Sequence, residues 1–473
     1  MIEDLKPYPV YKNFGLPWLG DVPAHWEIRR NGGLFQQRND PGDTELPILE
    51  VSLRTGVRVR DFARSKRKQV MTDRSKYKRA GRGDLVYNMM RMWQGAAGIA
   101  PERGLVSPAY VVCRAMPGIN SGYFSRLFKT DDYLAEIDAA SRGIVKDRNR
   151  LYWDQFKQIC SPLPPASEQA AITRFLSWAT NRLDRAIGAK RRIIALLQEQ
   201  KQAIIHRAVT RGLDPSVPLK DSGIPWLGEI PDHWEVLALK RVLSRLVDCE
   251  HKTAPFVRQS DYRVVRTTAV RNGLLRWSGT YCTSAKTFTE WTQRAVPEAG
   301  DVIFTREAPA GEACIIPEGA KVCLGQRTVL MKPQREIYDS QFLVHMIYTG
   351  PPRHLIELTC QGSTVSHFNM DDIGWMKVLA PPLSEQIEIV AKVTELTEAP
   401  SLAIEKTERE IDLLREYRTR LIDDVVTGKL DVREAAKGLP EDVEPPIQSD
   451  AAGYDGDEAE DDSDSDPIDT EED

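Results

Sequence analysis

At 473 residues, with 41% hydrophobic and 28% charged side chains, the chain is long enough for two to four domains with cores of their own. It holds no uncharged apolar run of membrane-spanning length and no charged-then-apolar leader, which points to a soluble protein of the cytoplasm with no membrane partner. The formal charge of -5 hides an asymmetry: Glu441 to Asp473 holds 16 acidic and no basic residues, leaving residues 1–440 with 64 basic against 53 acidic groups, a body that attracts polyanions.

The first patterned segment is GLPWLGDVPAHWEI at 15–28, which returns as GIPWLGEIPDHWEV at 223–236 with nine identities in fourteen positions. Such self-similarity marks an internal duplication. His25 and His233, beside Trp26 and Trp234, suit a scaffold role in that motif. Residues 37–80 and 245–297 share almost nothing, so each repeat keeps its ends and varies its middle. That contrast suits two copies of one machine reading different targets.

Residues 52–84 carry twelve Lys or Arg against three Asp, a density typical of phosphate contacts. Its candidates for DNA binding are Arg54, Arg58, Arg60, Lys66, Arg67, Lys68, Lys76, Lys78 and Arg79. GDLVYNMMR at 83–91, ending in Arg91, and LVSPAYVV at 105–112 read as strands. The Gly-centred loop SRGIVKDR at 141–148 adds Arg142, Lys146 and Arg148, because backbone N–H groups in such loops approach phosphates closely.

PPASEQ at 164–169 and PPLSEQ at 381–386 open two segments that align without gaps at an offset of 217. Ser167 and Ser384 read as helix caps, with the acidic residue at the positive end of the helix dipole. Apolar residues follow at helical spacing: Ile172, Leu176, Ala179, Leu183, Ile187, Ile194, Leu197, Ile204 and Ala208, interrupted around Lys190, then Ile389, Val393, Leu396, Ile404, Ile411, Leu414, Leu421 and Val425. Glu405–Arg409 and Glu416–Arg420 are favourable pairs on the wet face. Pro400 is expected to break or kink the second helix, with Ser401 capping its continuation. Two related stripes are best satisfied by packing on each other as an antiparallel pair. A clean stretch of about 30 residues would span roughly 45 Å, about 13 base pairs of duplex.

In the second repeat the basic residues are sparser: Arg258, Arg263, Arg266, Arg271 and Arg276. VVRTTAVRNG reads as a strand running into a turn, and GDVIFTRE and CLGQRTVL as short strands bringing Arg306, Gln326 and Arg327 as donors to base edges. The loop CQGSTVSH adds Gln361, Ser363 and His367. The acidic tail is expected to be disordered and solubilising.

No phosphate-binding loop, dinucleotide fingerprint, H-E-x-x-H or Asn/Asp-Pro-Pro-aromatic motif occurs. Asp184, Glu199 and Lys201 have nuclease-like types but lie strung along a helix. The seven histidines lack ligand spacing. Cys113, Cys160, Cys249, Cys282, Cys314, Cys323 and Cys360 contain no C-x-x-C, which argues against zinc ribbons and disulfide frameworks. No catalytic or metal residues are assigned.

The WLGDVPAHWE and WLGEIPDHWE segments, the PPASEQ and PPLSEQ helix starts and the AVTRGLD and VVTGKLD helix ends resemble the specificity subunits of Type I restriction-modification systems, over about residues 11–435. The resemblance implies an α+β chain with a pseudo-two-fold internal repeat and two mixed α/β target-recognition domains, separated by two long helices forming an antiparallel coiled coil. On this reading residues 1–163 are the first target-recognition domain, 164–214 the first spacer helix region, 215–380 the second target-recognition domain, 381–435 the second spacer helix region and 436–473 the disordered acidic tail. The resemblance further implies a non-catalytic subunit that reads a split, asymmetric site in double-stranded DNA. Its partners would be two methyltransferase subunits bringing S-adenosylmethionine and restriction subunits using ATP and magnesium, with no cofactor on this chain. The competing readings are a coiled-coil scaffold that binds only protein and a stand-alone DNA-modifying enzyme.

Overall fold

The computed structural model describes residues 5–41, 45–53, 55–61, 74–143, 149–307, 309–361 and 367–440. Arg54, Lys66, Arg67, Lys68, Lys146, Arg148, Ser363 and the acidic segment from Glu441 lie outside them. Strands and helices mix along the chain in an α+β pattern. The described parts of 1–190 and 409–473 form one compact unit and residues 191–408 a second.

In the first unit Tyr11–Asn13 pairs with Asp21–Pro23, and Glu27–Arg30 pairs antiparallel with Cys160–Leu163. The second pairing stitches the end of the repeated motif to the strand just before the first long helix. Beside it lies a four-stranded antiparallel sheet in the order Phe35–Arg38, Tyr110–Ala115, Leu85–Asn88, Ala97–Ile99. Alternate residues of a strand face opposite sides, and here both sides are buried. Leu85, Tyr87, Val111 and Cys113 face a core shared with Phe124, Phe128 and Phe156, while Val86 and Val112 face a smaller one with Leu49 and Val57.

The second unit repeats this order with Leu243–Asp248, Thr328–Pro333, Val302–Thr305 and Ala313–Ile315. Val302, Phe304, Val329 and Met331 join one core, and Ile303 and Leu330 another. The units part where their sequences do. The second adds a three-stranded sheet of Thr280–Thr283, Tyr262–Val265 and Lys321–Leu324, with one parallel pairing. The first has instead the pairs Leu49–Ser52 with Gly56–Val59 and Gly104–Val106 with Lys78–Ala80.

Two long helices, Ala166–Arg211 and Leu383–Val426, follow the Pro-Pro pairs. Ser167 and Ser384 therefore sit inside the first turn rather than at the cap. The helix through Pro400 is unbroken, correcting the expected break. Ser401, expected to cap a continuation, donates its hydroxyl to the Thr397 carbonyl at 2.6 Å, one turn back. Within the first unit Lys190 pairs with Glu410 at 2.6 Å and Asp184 with Arg418 at 3.7 Å, so these two helical segments run antiparallel. Within the second, Lys201 Nζ donates to Ser401 Oγ at 2.6 Å. Burial follows the expected stripe at its ends: Ile172, Leu176, Ala179, Leu183, Ile187, Ile389, Val393, Ile411, Leu421 and Val425 are buried. Ile194, Leu197, Ile204, Ile404 and Leu414 are only partly covered and Leu396 is exposed.

Candidate nucleic-acid interface

The repeated His-Trp pair is held by the repeated Ser-Glu-Gln. In the first unit the Trp26 indole N–H donates to Glu168 Oε1 at 2.9 Å, His25 Nε2 bonds Oε2 at 2.8 Å, and the Tyr8 hydroxyl donates to Oε1 at 2.5 Å. In the second unit the Trp234 indole N–H donates to Glu385 Oε1 at 3.1 Å and His233 Nε2 bonds Oε2 at 2.7 Å. Burial, reinforced by Glu168, holds the Tyr8 hydroxyl protonated far above its ordinary range.

The neighbouring Gln completes the clamp. Gln169 donates to the Pro164 carbonyl at 2.8 Å and accepts from the Asn120 N–H, also at 2.8 Å; Asn120 in turn caps the helix Ser121–Leu127. Gln386 donates to the Pro381 and Ile337 carbonyls at 2.8 and 2.9 Å and accepts from the Asp339 N–H at 2.8 Å, and Asp339 caps Ser340–Thr349. A buried amide that pairs both its oxygen and its nitrogen fixes the helix to the sheet domain at one angle. The sequence offered these residues only as a dipole partner and an unassigned Gln; their duplication at the 217 offset was the signal.

On that frame the second unit gathers four of its expected readers, Arg306, Gln326, Arg327 and His367, at one sheet end. Asp248 lies opposite Val329 and Thr305 opposite Thr328, so three strands terminate together. Arg306 follows one of them, and Gln326 and Arg327 form the turn before another. Arg306 is only 7% exposed, with Nη1 on Asp248 Oδ2 at 3.1 Å and Nη2 against His251 Nδ1 at 3.4 Å. Its fork is thus turned inward and not offered to a base edge. Glu307 collects the outward groups: Arg327 Nε at 3.1 Å and His367 Nδ1 at 2.5 Å. Gln326 Nε2 donates to the His251 carbonyl at 3.2 Å. Arg327 adopts φ 71, a left-handed conformation that costs a non-glycine residue about 1 kcal/mol or more. Asp248, His251 and Glu307 were not anticipated, because residues far apart in sequence meet only through strand register.

The other candidates of this unit are dispersed. Arg258 and Arg276 are exposed, and Arg263 is half-buried, without an ion pair among the described residues. Arg266 donates to the Gly279 carbonyl at 3.1 Å and lies 5.6 Å from the Tyr281 ring centroid. Arg271 is turned onto the carbonyls of Thr267 and Val270 at 3.3 and 3.1 Å. Gln361 closes the helix Pro351–Gln361.

In the first unit the same sheet end, where Asn88 lies opposite Tyr110 and Arg38 opposite Val112, carries Lys78, Arg79 and Arg91. Lys78 Nζ donates to the Tyr110 carbonyl at 2.9 Å, and burial pulls its pKa below the usual lysine value. Arg79 pairs with Asp40 at 2.9 Å, Arg58 with Glu50 at 2.7 Å, and Arg60 stands 3.8 Å from the same Glu50. Arg91 Nε donates to Gln94 at 2.9 Å. Lys76 and Arg142 are exposed and have no ion pair among the described residues. Part of the local positive field is therefore spent on internal carboxylates.

Among the described residues there is no group of three metal-capable side chains and no helix long and apolar enough to cross a membrane. Residues 231–413 match the family described as Type I restriction modification DNA specificity domain. Over 438 residues the chain is 23% identical to the Type I restriction enzyme MjaVIII specificity subunit of Methanocaldococcus jannaschii, covering 87% of this chain and 94% of that protein. A protein of the same organism, named as an MjaX type I restriction enzyme specificity subunit, is 21% identical over 463 residues, 89% of this chain and 97% of its own length. A chain solved for the structural basis of complex assembly and conformational transition of the type I R-M system superposes with a TM-score of 0.61 at 14% identity, covering 86% of this chain and 98% of that one.

A four-stranded sheet built twice, with unlike polar ends on like frames, defines a duplicated protein of the α+β class. Along most of its length the chain is similar to Type I restriction enzyme specificity subunits, and residues 231–413 match the DNA specificity domain of such systems.

Proposed function

We propose that each unit reads one half of a bipartite, asymmetric DNA site and that the long helices pair as an antiparallel coiled coil between them. The observation that carries this is the repeated four-stranded sheet with its repeated Glu-Gln clamp, whose sheet ends present different polar groups. In the second unit Arg327, Gln326 and His367 are the readers, with Arg306 a positioning residue beneath them; in the first, Lys76, Arg91 and Arg142 meet phosphates. On this reading two methyltransferase subunits dock on the helices, where Ile193, Leu196 and Leu402 of one unit and Leu413 of the other are 49 to 65% exposed, more apolar surface than a free helix face favours. S-adenosylmethionine then sits on those partners, and ATP and magnesium on restriction subunits. The chain works where host DNA is, in the cytoplasm.

Exchanging residues 37–160 for those of a family member with a different target tests the assignment. The expected result, read by methylome sequencing of cells carrying the complete system, is a change in one half of the methylated site only. A change in both halves, or in neither, overturns it.

A further inference from the structure

The first unit contains a cleft of about 390 Å³. Its walls come from the start of the strand Gly56–Val59, the helix Ser121–Leu127 with the residues just after it, and both long helices. Three cations line it: Arg126, Lys129 and Arg418. The one carboxylate among the lining residues is Asp423.

Internal pairing accounts for these cations only in part. Arg126 donates to the Gly122 carbonyl at 2.9 Å and to Ser177 Oγ at 2.8 Å, both neutral. Lys129 is half-buried and makes no hydrogen bond or ion pair among the described residues. Arg418 reaches Asp184 only at 3.7 Å. Burial, and then repulsion within the trio, pulls both Arg126 and Lys129 below their usual pKa values. Asp423 offsets only part of the excess: one carboxylate stands against three cations, and burial and the neighbouring Asp131, Asp424 and Asp132 push its pKa up to about 6. A cation withdrawn from water without a partner, as Lys129 is, is costly unless a counterion arrives. Thr55 and Thr180 add hydroxyls to the same walls.

We infer that this cleft binds a phosphate-class oxyanion, held by Lys129, Arg126 and Arg418. Phosphate geometry matches the fork of an arginine beside a point-charge ammonium. The ion's source is either a free small phosphate or a backbone phosphate of bound nucleic acid. The inference stands independently of sequence reading by the two units.

The test uses the full chain, with thermal unfolding followed in inorganic phosphate and in chloride at matched ionic strength. For the parent, the midpoint rises with phosphate and saturates. For Lys129→Met the midpoint in chloride is above the parent's, because an uncompensated ammonium is gone, and the apparent phosphate Kd weakens at least tenfold. Arg418→Gln, at a half-exposed side chain that tolerates change, weakens phosphate binding without unfolding the protein. If both variants keep the parent's phosphate response, the site does not exist. Displacement of phosphate by a non-specific duplex at low salt assigns the site to backbone phosphate; retention assigns it to a free ion, and both uphold the cleft. The half-site exchange above leaves this readout untouched, so the two ideas fail separately.

Discussion

Gln386 makes three hydrogen bonds at a point where the chain enters a helix, and it is fully buried. Replacing it with Leu keeps bulk but strands the Asp339 N–H and two carbonyls, so Gln386→Leu should cost about 2 to 3 kcal/mol, since each orphaned buried group forfeits its desolvation. Urea unfolding followed at the second unit would measure this; a loss below about 0.5 kcal/mol would mean that water replaces the side chain. The duplicated Glu acts alongside it, with one carboxylate serving an indole and an imidazole. Trp26 and Trp234 are among the largest fully buried side chains, and an indole N–H that is buried needs such an acceptor. The motif's repetition was legible from sequence, but its pairing with Ser-Glu-Gln more than 140 residues away was not.

At the scale of elements, the long helices end on glycines that turn left-handed, Gly212 at φ 72 and Gly428 at φ 80. The two differ in surroundings. A Cβ on Gly428 would lie 2.5 Å from Pro23 Cδ and 2.9 Å from the Trp26 ring, whereas one on Gly212 would meet nothing closer than 3.3 Å. Both substitutions to Ala carry the conformational cost of about 1 kcal/mol, and Gly428→Ala adds a clash with ring atoms that have little room to move. Gly428→Ala should therefore destabilise by at least about 2 kcal/mol and Gly212→Ala by about half that. Calorimetry of the two variants checks the order, and equal losses would refute the packing argument. Pro400 also belongs to this scale. Helical patterning on either side of it was legible, yet the expected break did not occur, because the hydrogen-bonded turns on both sides hold the helix across one missing N–H.

At the scale of the whole molecule, charge is the property that sequence overstated. The run at 52–84 carries twelve cations, but the described Arg58, Arg60 and Arg79 face Glu50 or Asp40. Lys76, Arg91 and Arg142 remain available to a polyanion. Changing all three to Ala should lower the slope of log K against log salt by roughly one per lost phosphate contact, about three in all. On the proposed two-half-site reading, sequence preference should stay as it was. Filter binding of the chain with its proposed methyltransferase partners across a salt series reads this, and an unchanged slope would show that these residues do not touch the backbone.

The sequence by itself determined that the chain is duplicated, that its long helices follow the Pro-Pro pairs, and which proteins it resembles, because repeats and helical periodicity are local patterns that survive any arrangement of the chain. Only the tertiary structure decided that Arg306 is buried while Arg327 faces outward, that Glu307 gathers Arg327 and His367, and that Arg126, Lys129 and Arg418 share a cleft. Those outcomes depend on strand register and on the meeting of segments hundreds of residues apart. Burial and pairing, which set the worth of every charge, are properties of neighbours in space.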